Sequence, residues 1–187
     1  MHLGDDEKRT LLRLAREHIE SVLQKLPPPF PSSISAALQE PTGVFVTLRK
    51  EGDLRGCIGY VEARVPLIQA VSEVALKTAF EDPRFAPVGR QEMNDIEIEI
   101  SVLSLLTEVK DFQEIEVGRH GLVIESGFAR GLLLPHVATE HLWDREQFLT
   151  HTALKAGLPA DSWKTGQARV FSFTTVTFSE SEFLQPR

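Results

Sequence analysis

Chemistry in this chain of 187 residues centres on its single cysteine, Cys57, within Leu54-Arg55-Gly56-Cys57-Ile58-Gly59. In extended backbone alternate side chains share a face, so Arg55 and Cys57 point one way and Leu54 and Ile58 the other. Their Cα atoms then lie about 6–7 Å apart, close enough for the cation to favour a thiolate and make Cys57 a nucleophile or a ligand-gripping group. The same pattern also fits a small, half-buried thiol beside a salt-bridged arginine. Glu97 and Glu99 are two residues apart, and paired carboxylates do acid–base work when their surroundings drive their protonation apart. Both could equally be solvated, or Glu99 could pair with Arg55 on a nearby strand; the ion pair is the preferred reading. In Glu81-Asp82-Pro83-Arg84-Phe85, a carboxylate, a rigid turn and a guanidinium follow one another. That is a structural turn with Phe85 plugging the core, or the edge of a binding cleft to which Asp82 and Arg84 contribute.

Other chemistries leave no signature. His136, His141 and His151 have neither the i, i+4 spacing nor the thiolate neighbours of a zinc site. Gly-x-x-x-x-Gly-Lys, Gly-x-Gly-x-x-Gly and Gly-x-Ser-x-Gly are all absent, so no metal or cofactor is expected.

The elements that must position these groups read as follows. Apolar residues from Asp5 to about Leu26 recur at helical spacing, and Pro27-Pro28-Pro29 ends the helix. A linker runs to about Glu40. Residues 43–59 read as a β-hairpin with a three-residue loop, Lys50-Glu51-Gly52, in which only Gly52 is left-handed. That register pairs Arg49 with Asp53, Leu48 with Leu54 and Thr47 with Arg55. It gathers Val44, Val46, Leu48, Leu54 and Ile58 on one face, and Phe45, Thr47, Arg49, Asp53, Arg55 and Cys57 on the other. Pro66 opens a helix with Leu67, Val71, Val74 and Thr78 inward, ending before Asp82-Pro83. Ile96 to Leu103 alternates as a strand. Short strands follow over 109–135, a smaller lobe or sheet extension. Asp144 and Gln147 form a capping box for a helix ending near Gly157. Ala168 to Phe178 reads as one last strand. Hairpins mixed with helices predict an α+β layer.

Composition narrows the class. The chain is 42% hydrophobic and 25% charged, with 20 basic and 27 acidic residues and a net charge of −7, so one globular domain over 5–182 with a tail at 183–187 is expected. The acidic balance argues against a sequence-independent hold on nucleic acid. No apolar run approaches the roughly 20 residues that cross a bilayer, and a lone cysteine suits a reducing, cytoplasmic setting.

The hexapeptide Leu54 to Gly59 resembles the signature of the AMMECR1 domain family. Val46-Thr47-Leu48, Asp82-Pro83-Arg84-Phe85, Ile98 to Leu103, Gly118 to Leu122, Leu132 to Ala138 and Lys155-Ala156-Gly157-Leu158 agree with it in order and spacing. The resemblance implies an α+β fold, a mostly antiparallel sheet with flanking helices in two unequal lobes, with the hexapeptide lining a cleft. It also implies membership of an AmmeMemoRadiSam system as its protein A, beside a MEMO-type protein and a radical-SAM protein. Two positions depart from the family. His136 stands where glutamine is common, which makes it a candidate binding residue of this chain and not a catalytic residue of the family. Ala153 stands where a second cysteine is common, which disfavours dithiol chemistry.

Two functions are expected from these residues. One is a cleft that binds a small molecule or modified protein segment, with Cys57 as candidate catalytic thiol and Arg55, Gly56, Glu99, Asp82, Arg84 and His136 as binding residues. The other is a non-enzymatic adaptor that docks the MEMO-type or radical-SAM partner.

Overall fold

The computed structural model of the chain describes residues 3–62 and 64–184. The elements begin with α1 (Asp5–Gln24), α2 (Ala36–Gln39), β1 (Val44–Lys50), β2 (Asp53–Tyr60), α3 (Leu67–Phe80) and β3 (Ile96–Leu103). They continue with β4 (Thr107–Glu108), β5 (Gly121–Ser126), β6 (Ala129–Leu133), α4 (Pro135–Glu140), α5 (Arg145–Lys155), β7 (Arg169–Phe173), β8 (Thr175–Ser179) and α6 (Glu180–Phe183). The expected tail over 183–187 begins inside α6, and 185–187 lie outside the described residues. The chain forms two compact units, residues 1–102 with 176–187, and residues 103–175.

The first unit is a four-stranded sheet in the order β2-β1-β3-β8. Both strand pairs made by β1 are antiparallel. Val44, Val46 and Leu48 of β1 and Ile96, Ile98, Ile100 and Val102 of β3 are buried in one cluster with Leu11, Leu12, Ala15 and Ile19 of α1 and Leu67, Val71 and Val74 of α3. The period-2 alternation of β3 and the helical period of α3 therefore meet in a single core. Three acidic residues open α1, where the helix dipole favours them. It ends when Lys25 turns left-handed and the Leu26 N–H donates to the Ser21 carbonyl, just ahead of the prolines. Val22, in the last turn of α1, and Leu26, past that stop, are exposed although both belong to the apolar pattern of the segment.

The hairpin differs from the sequence expectation. Lys50 pairs with Asp53, so the loop has two residues, and both Glu51 (φ 53°) and Gly52 (φ 89°) are left-handed. This is the turn whose twist matches that of the flanking strands, and the fit outweighs the modest cost of a Cβ at positive φ. A β-bulge then leaves Arg55 without a partner, between the pairs Arg49–Leu54 and Leu48–Gly56. Leu54 consequently faces away from the core and is exposed. Beyond the bulge the register is offset from the expected one by two residues. An even offset restores the faces, so Cys57 lies opposite Thr47 and Ile58 opposite Val46.

The second unit is a sheet in the order β4-β7-β5-β6. Its core joins Leu122, Ile124, Leu133 and Val170 to Phe148, Leu149 and Ala153 of α5. The capping box of α5 forms as the sequence indicates: Gln147 N–H donates to Asp144 Oδ1, and Asp144 N–H donates to Gln147 Oε1. The last strand is in fact two. β7 belongs to this sheet and β8 to the other. The inward residues Phe173 and Phe178 are five apart, which a single alternating strand cannot place on one face. The break falls at Thr174, whose N–H donates to Ser104 Oγ while its carbonyl accepts from Ser104 N–H, each at 2.9 Å.

Candidate functional site

Cys57 sits on β2, the edge strand of the first unit's sheet. Its peptide N–H donates to Asp82 Oδ2 at 2.9 Å, and its carbonyl accepts from Arg84 Nη2 at 3.0 Å. Both peptide groups thus turn away from β1, which is the pairing that brings opposite side chains closest. The Thr47 hydroxyl accordingly donates to Cys57 Sγ at 3.4 Å. Thr47 is also opposite Glu99 on β3, so Cys57, Thr47 and Glu99 form a transverse row on the face away from the hydrophobic core. The next row holds Gly59, Phe45 and Ser101, with Ser101 hydrogen-bonded to Thr177. Thr47 and Ser101 are buried, whereas Cys57 and Glu99 are half-buried.

The turn Asp82-Pro83-Arg84 clamps the strand edge. Asp82 is 5% exposed. Its Oδ1 accepts from Arg84 N–H and Nε, and its Oδ2 accepts from Arg84 Nη2 as well as from Cys57. The Arg84 hydrogen bond, aided by the two backbone N–H groups, holds this carboxyl well below the usual aspartate range in spite of burial. Arg84 is held above its ordinary value in return, first by that hydrogen bond and in smaller part by the charges of Asp82 and Cys57. The cation bonded to the Cys57 peptide is therefore Arg84, at its carbonyl. A side-chain pair here takes the place of a neighbouring strand, closing an edge that would otherwise invite pairing.

Arg55 is committed elsewhere. Its Nε and Nη2 donate to the Glu92 carboxylate at 3.1 and 2.9 Å, and Nη2 also reaches the Ala86 carbonyl at 2.8 Å. The expected partner, Glu99, lies instead 3.8 Å from Arg49. The bulge is the cause, since it removes Arg55 from the ladder that carries Thr47 and Glu99. Glu97, the other half of the supposed carboxylate pair, is held below its ordinary range chiefly by the Ser181 hydroxyl, with Ser179 and Arg49 assisting. An acid poised by a raised pKa is not what that environment makes. Phe85 is half-buried outside the core, with the guanidinium carbons of Arg84 and Arg55 at 5.5 and 5.8 Å from its ring centre.

The remaining candidates divide. Gly56 is a packing requirement: a Cβ there would lie 2.8 Å from the Thr78 carbonyl of α3. Gly56→Ala should cost about 2 kcal/mol by forcing strand and helix apart, read as a lowered midpoint in urea unfolding. His136 is exposed on α4, in the second unit, where its carbonyl accepts from Thr139. Among the described residues no group of three or more His, Cys, Asp or Glu is arranged to hold a metal ion. No described helix is long and apolar enough to cross a membrane.

Sequence reasoning missed Glu92 and the role of Thr47. Glu92 had a local signal, because its carboxylate reaches back to the Gly89 N–H three residues earlier, the acidic half of a capping box. Thr47 had none, since only the register places it against sulfur.

Comparison with known proteins then identifies the lineage. A model of the AMMECR1 family matches residues 12–178. The chain belongs to the AMMECR1 family. A relative from Methanothermobacter thermautotrophicus is 46% identical, over 95% of this chain and 96% of its own length. One from Pyrococcus furiosus is 42% identical, over 95% and 90%. The crystal structure of an uncharacterized protein from Pyrococcus horikoshii, 40% identical, superposes with a TM-score of 0.86, covering 95% of this chain and 91% of that one. The mixed helical and antiparallel-sheet fold of this AMMECR1 chain is thus that of a solved neighbour.

Proposed function

We infer that this AMMECR1 domain binds a small molecule or a modified protein segment at the rim of its first-unit sheet, with the Cys57 thiol as the group that contacts the ligand. The observation that carries this reading is the hydroxyl of Thr47 donating to Cys57 Sγ. That hydrogen bond fixes the direction in which the sulfur is presented, and the clamp from Asp82 and Arg84 fixes the peptide that bears it. Arg55 acts by positioning, through Glu92, and Arg84 is the cation bonded to the Cys57 peptide. The setting is a modification pathway of the AmmeMemoRadiSam type.

Iodoacetamide labelling of the native protein tests this, because Cys57 is the only thiol. Native protein is expected to label, and Thr47→Val to slow labelling at fixed pH by about fivefold, the worth of one hydrogen bond. Labelling only after unfolding, or an unchanged rate in Thr47→Val, would overturn the assignment.

The half-exposed Arg84 and the adjoining Phe85 ring favour a second reading, an adaptor that docks a MEMO-type or radical-SAM partner. In cells encoding all three proteins, Cys57→Ser would then retain the partner and Arg84→Glu would lose it. Loss on Cys57→Ser returns the case to the thiol.

A further inference from the structure

The turn after α3 and the bulged part of β2 share a surface whose hydrogen-bonding capacity is unbalanced. Its two ion-paired carboxylates are nearly saturated. Asp82 accepts from the Arg84 N–H, Nε and Nη2 and from the Cys57 N–H. Glu92 accepts from Arg55 Nε and Nη2 and from the Gly89 N–H, with Lys50 Nζ a further 3.9 Å away. Each carboxylate oxygen has about two acceptor positions, so little acceptor capacity is left. The donors are in surplus. Nη1 of Arg55 and Nη1 of Arg84 make no hydrogen bond among the described residues. Lys50 Nζ is too far from Glu92 for one.

Among the groups joined by ion pairs here, three cations (Lys50, Arg55, Arg84) meet two carboxylates (Asp82, Glu92), with Asp53 and Glu81 exposed at the margins. Both guanidiniums approach the single half-buried ring of Phe85. Each is already held along one edge by a carboxylate, so little side-chain freedom remains to be lost when the other edge meets a ligand.

We propose that this surface is an oxyanion site that takes a phosphate group, with acceptor oxygens met by Nη1 of Arg55 and Nη1 of Arg84 and with Phe85 as its apolar floor. A phosphate supplies several acceptors and the opposite charge, which is what a donor-rich, cationic surface lacks. The proposal deepens the thiol reading by naming the ligand's charged group. It rests on that reading only for the ligand's reach to Cys57.

Inorganic phosphate titrated into the full chain by calorimetry, against chloride at matched ionic strength, tests it. Saturable binding with Kd of about 1 mM or tighter is expected. Arg84→Met should weaken it at least about tenfold, the loss of a charge-assisted hydrogen bond. Because Arg84 also holds the Cys57 peptide, Glu92→Gln supplies the deciding arm. Removing that negative charge, while the amide oxygen still accepts from Arg55 and keeps it in place, should tighten phosphate by about threefold, a gain that general loss of structure cannot produce. No binding above the chloride control, tighter binding of acetate than of phosphate, or weaker binding in Glu92→Gln overturns the proposal. Phosphate binding without native labelling of Cys57 upholds the oxyanion site and removes the thiol reading; labelling without phosphate binding does the reverse.

Discussion

Glu180→Ala should lower stability by about 3–5 kcal/mol, the range for removing one partner of a buried ion pair. Glu180 accepts from Nε and Nη2 of Arg16, each at 2.5 Å, and from the Ile98 N–H at 2.9 Å. Arg16 also donates to the carbonyls of Met93 and Ile96. Both side chains are buried, so the substitution leaves the guanidinium with only the more distant Glu20, 3.8 Å away, as counter-charge and strands the Ile98 N–H. The loss would appear as a fall in the urea midpoint at unchanged slope. Arg16→Met with Glu180→Leu should recover most of it, because an apolar pair replaces the charges without leaving one behind. A double variant as unstable as the single one would show that the cost lies in packing.

Asp82→Ala should cost about 3 kcal/mol at neutral pH, since it leaves the Cys57 N–H and the Arg84 guanidinium without their shared acceptor. Its pH dependence has a definite sign. The folded-state pKa of Asp82 is depressed. Its contribution is therefore complete above the ordinary aspartate value of about 3.9 and lost as pH falls through the lower folded-state value. Wild type and variant should differ by a constant amount from about pH 5 upward and converge in strong acid. Thermal melts across that range check this, and a difference that grows as pH falls would refute the linkage. Labelling of Cys57 should also change, because the strand edge that presents it is no longer clamped.

What could be read from sequence was local. The period of Ile96 to Leu103, the Asp144–Gln147 box and the stop ahead of Pro27 each depend on residues a few positions apart, so pattern and physics coincide. The hairpin turned on a competition that residue types alone do not decide: the strain of Glu51 at positive φ against the twist of the strands it joins. Cys57 nevertheless kept its face and its neighbours Phe45 and Thr47, since loop and bulge displaced the register by an even number. The partner of Arg55 was illegible for a related reason. Its choice between Glu99 and Glu92 depends on a bulge, and a bulge is a property of two strands together. Arg16 did carry a hint. It follows Leu12 by one helical turn and precedes Ile19, on the inward stripe of α1, where a charge implies a buried counter-charge. Nothing in the sequence around Glu180 says that the counter-charge lies there.

The paired hydrogen bonds between Ser104 and Thr174 have a consequence for the order of folding. β3 and β8 are neighbours in one sheet, yet the whole of residues 104–174 intervenes between them. Joining them across a disordered segment of that length incurs a closure entropy that rises with the logarithm of its length. Once the intervening unit is folded, its two ends are already side by side at Ser104 and Thr174. The entropy of bringing β8 to β3 has by then been met inside the insert, which carries its own closure and leaves the strand that bears Glu99 to acquire its last neighbour almost as a short-range event.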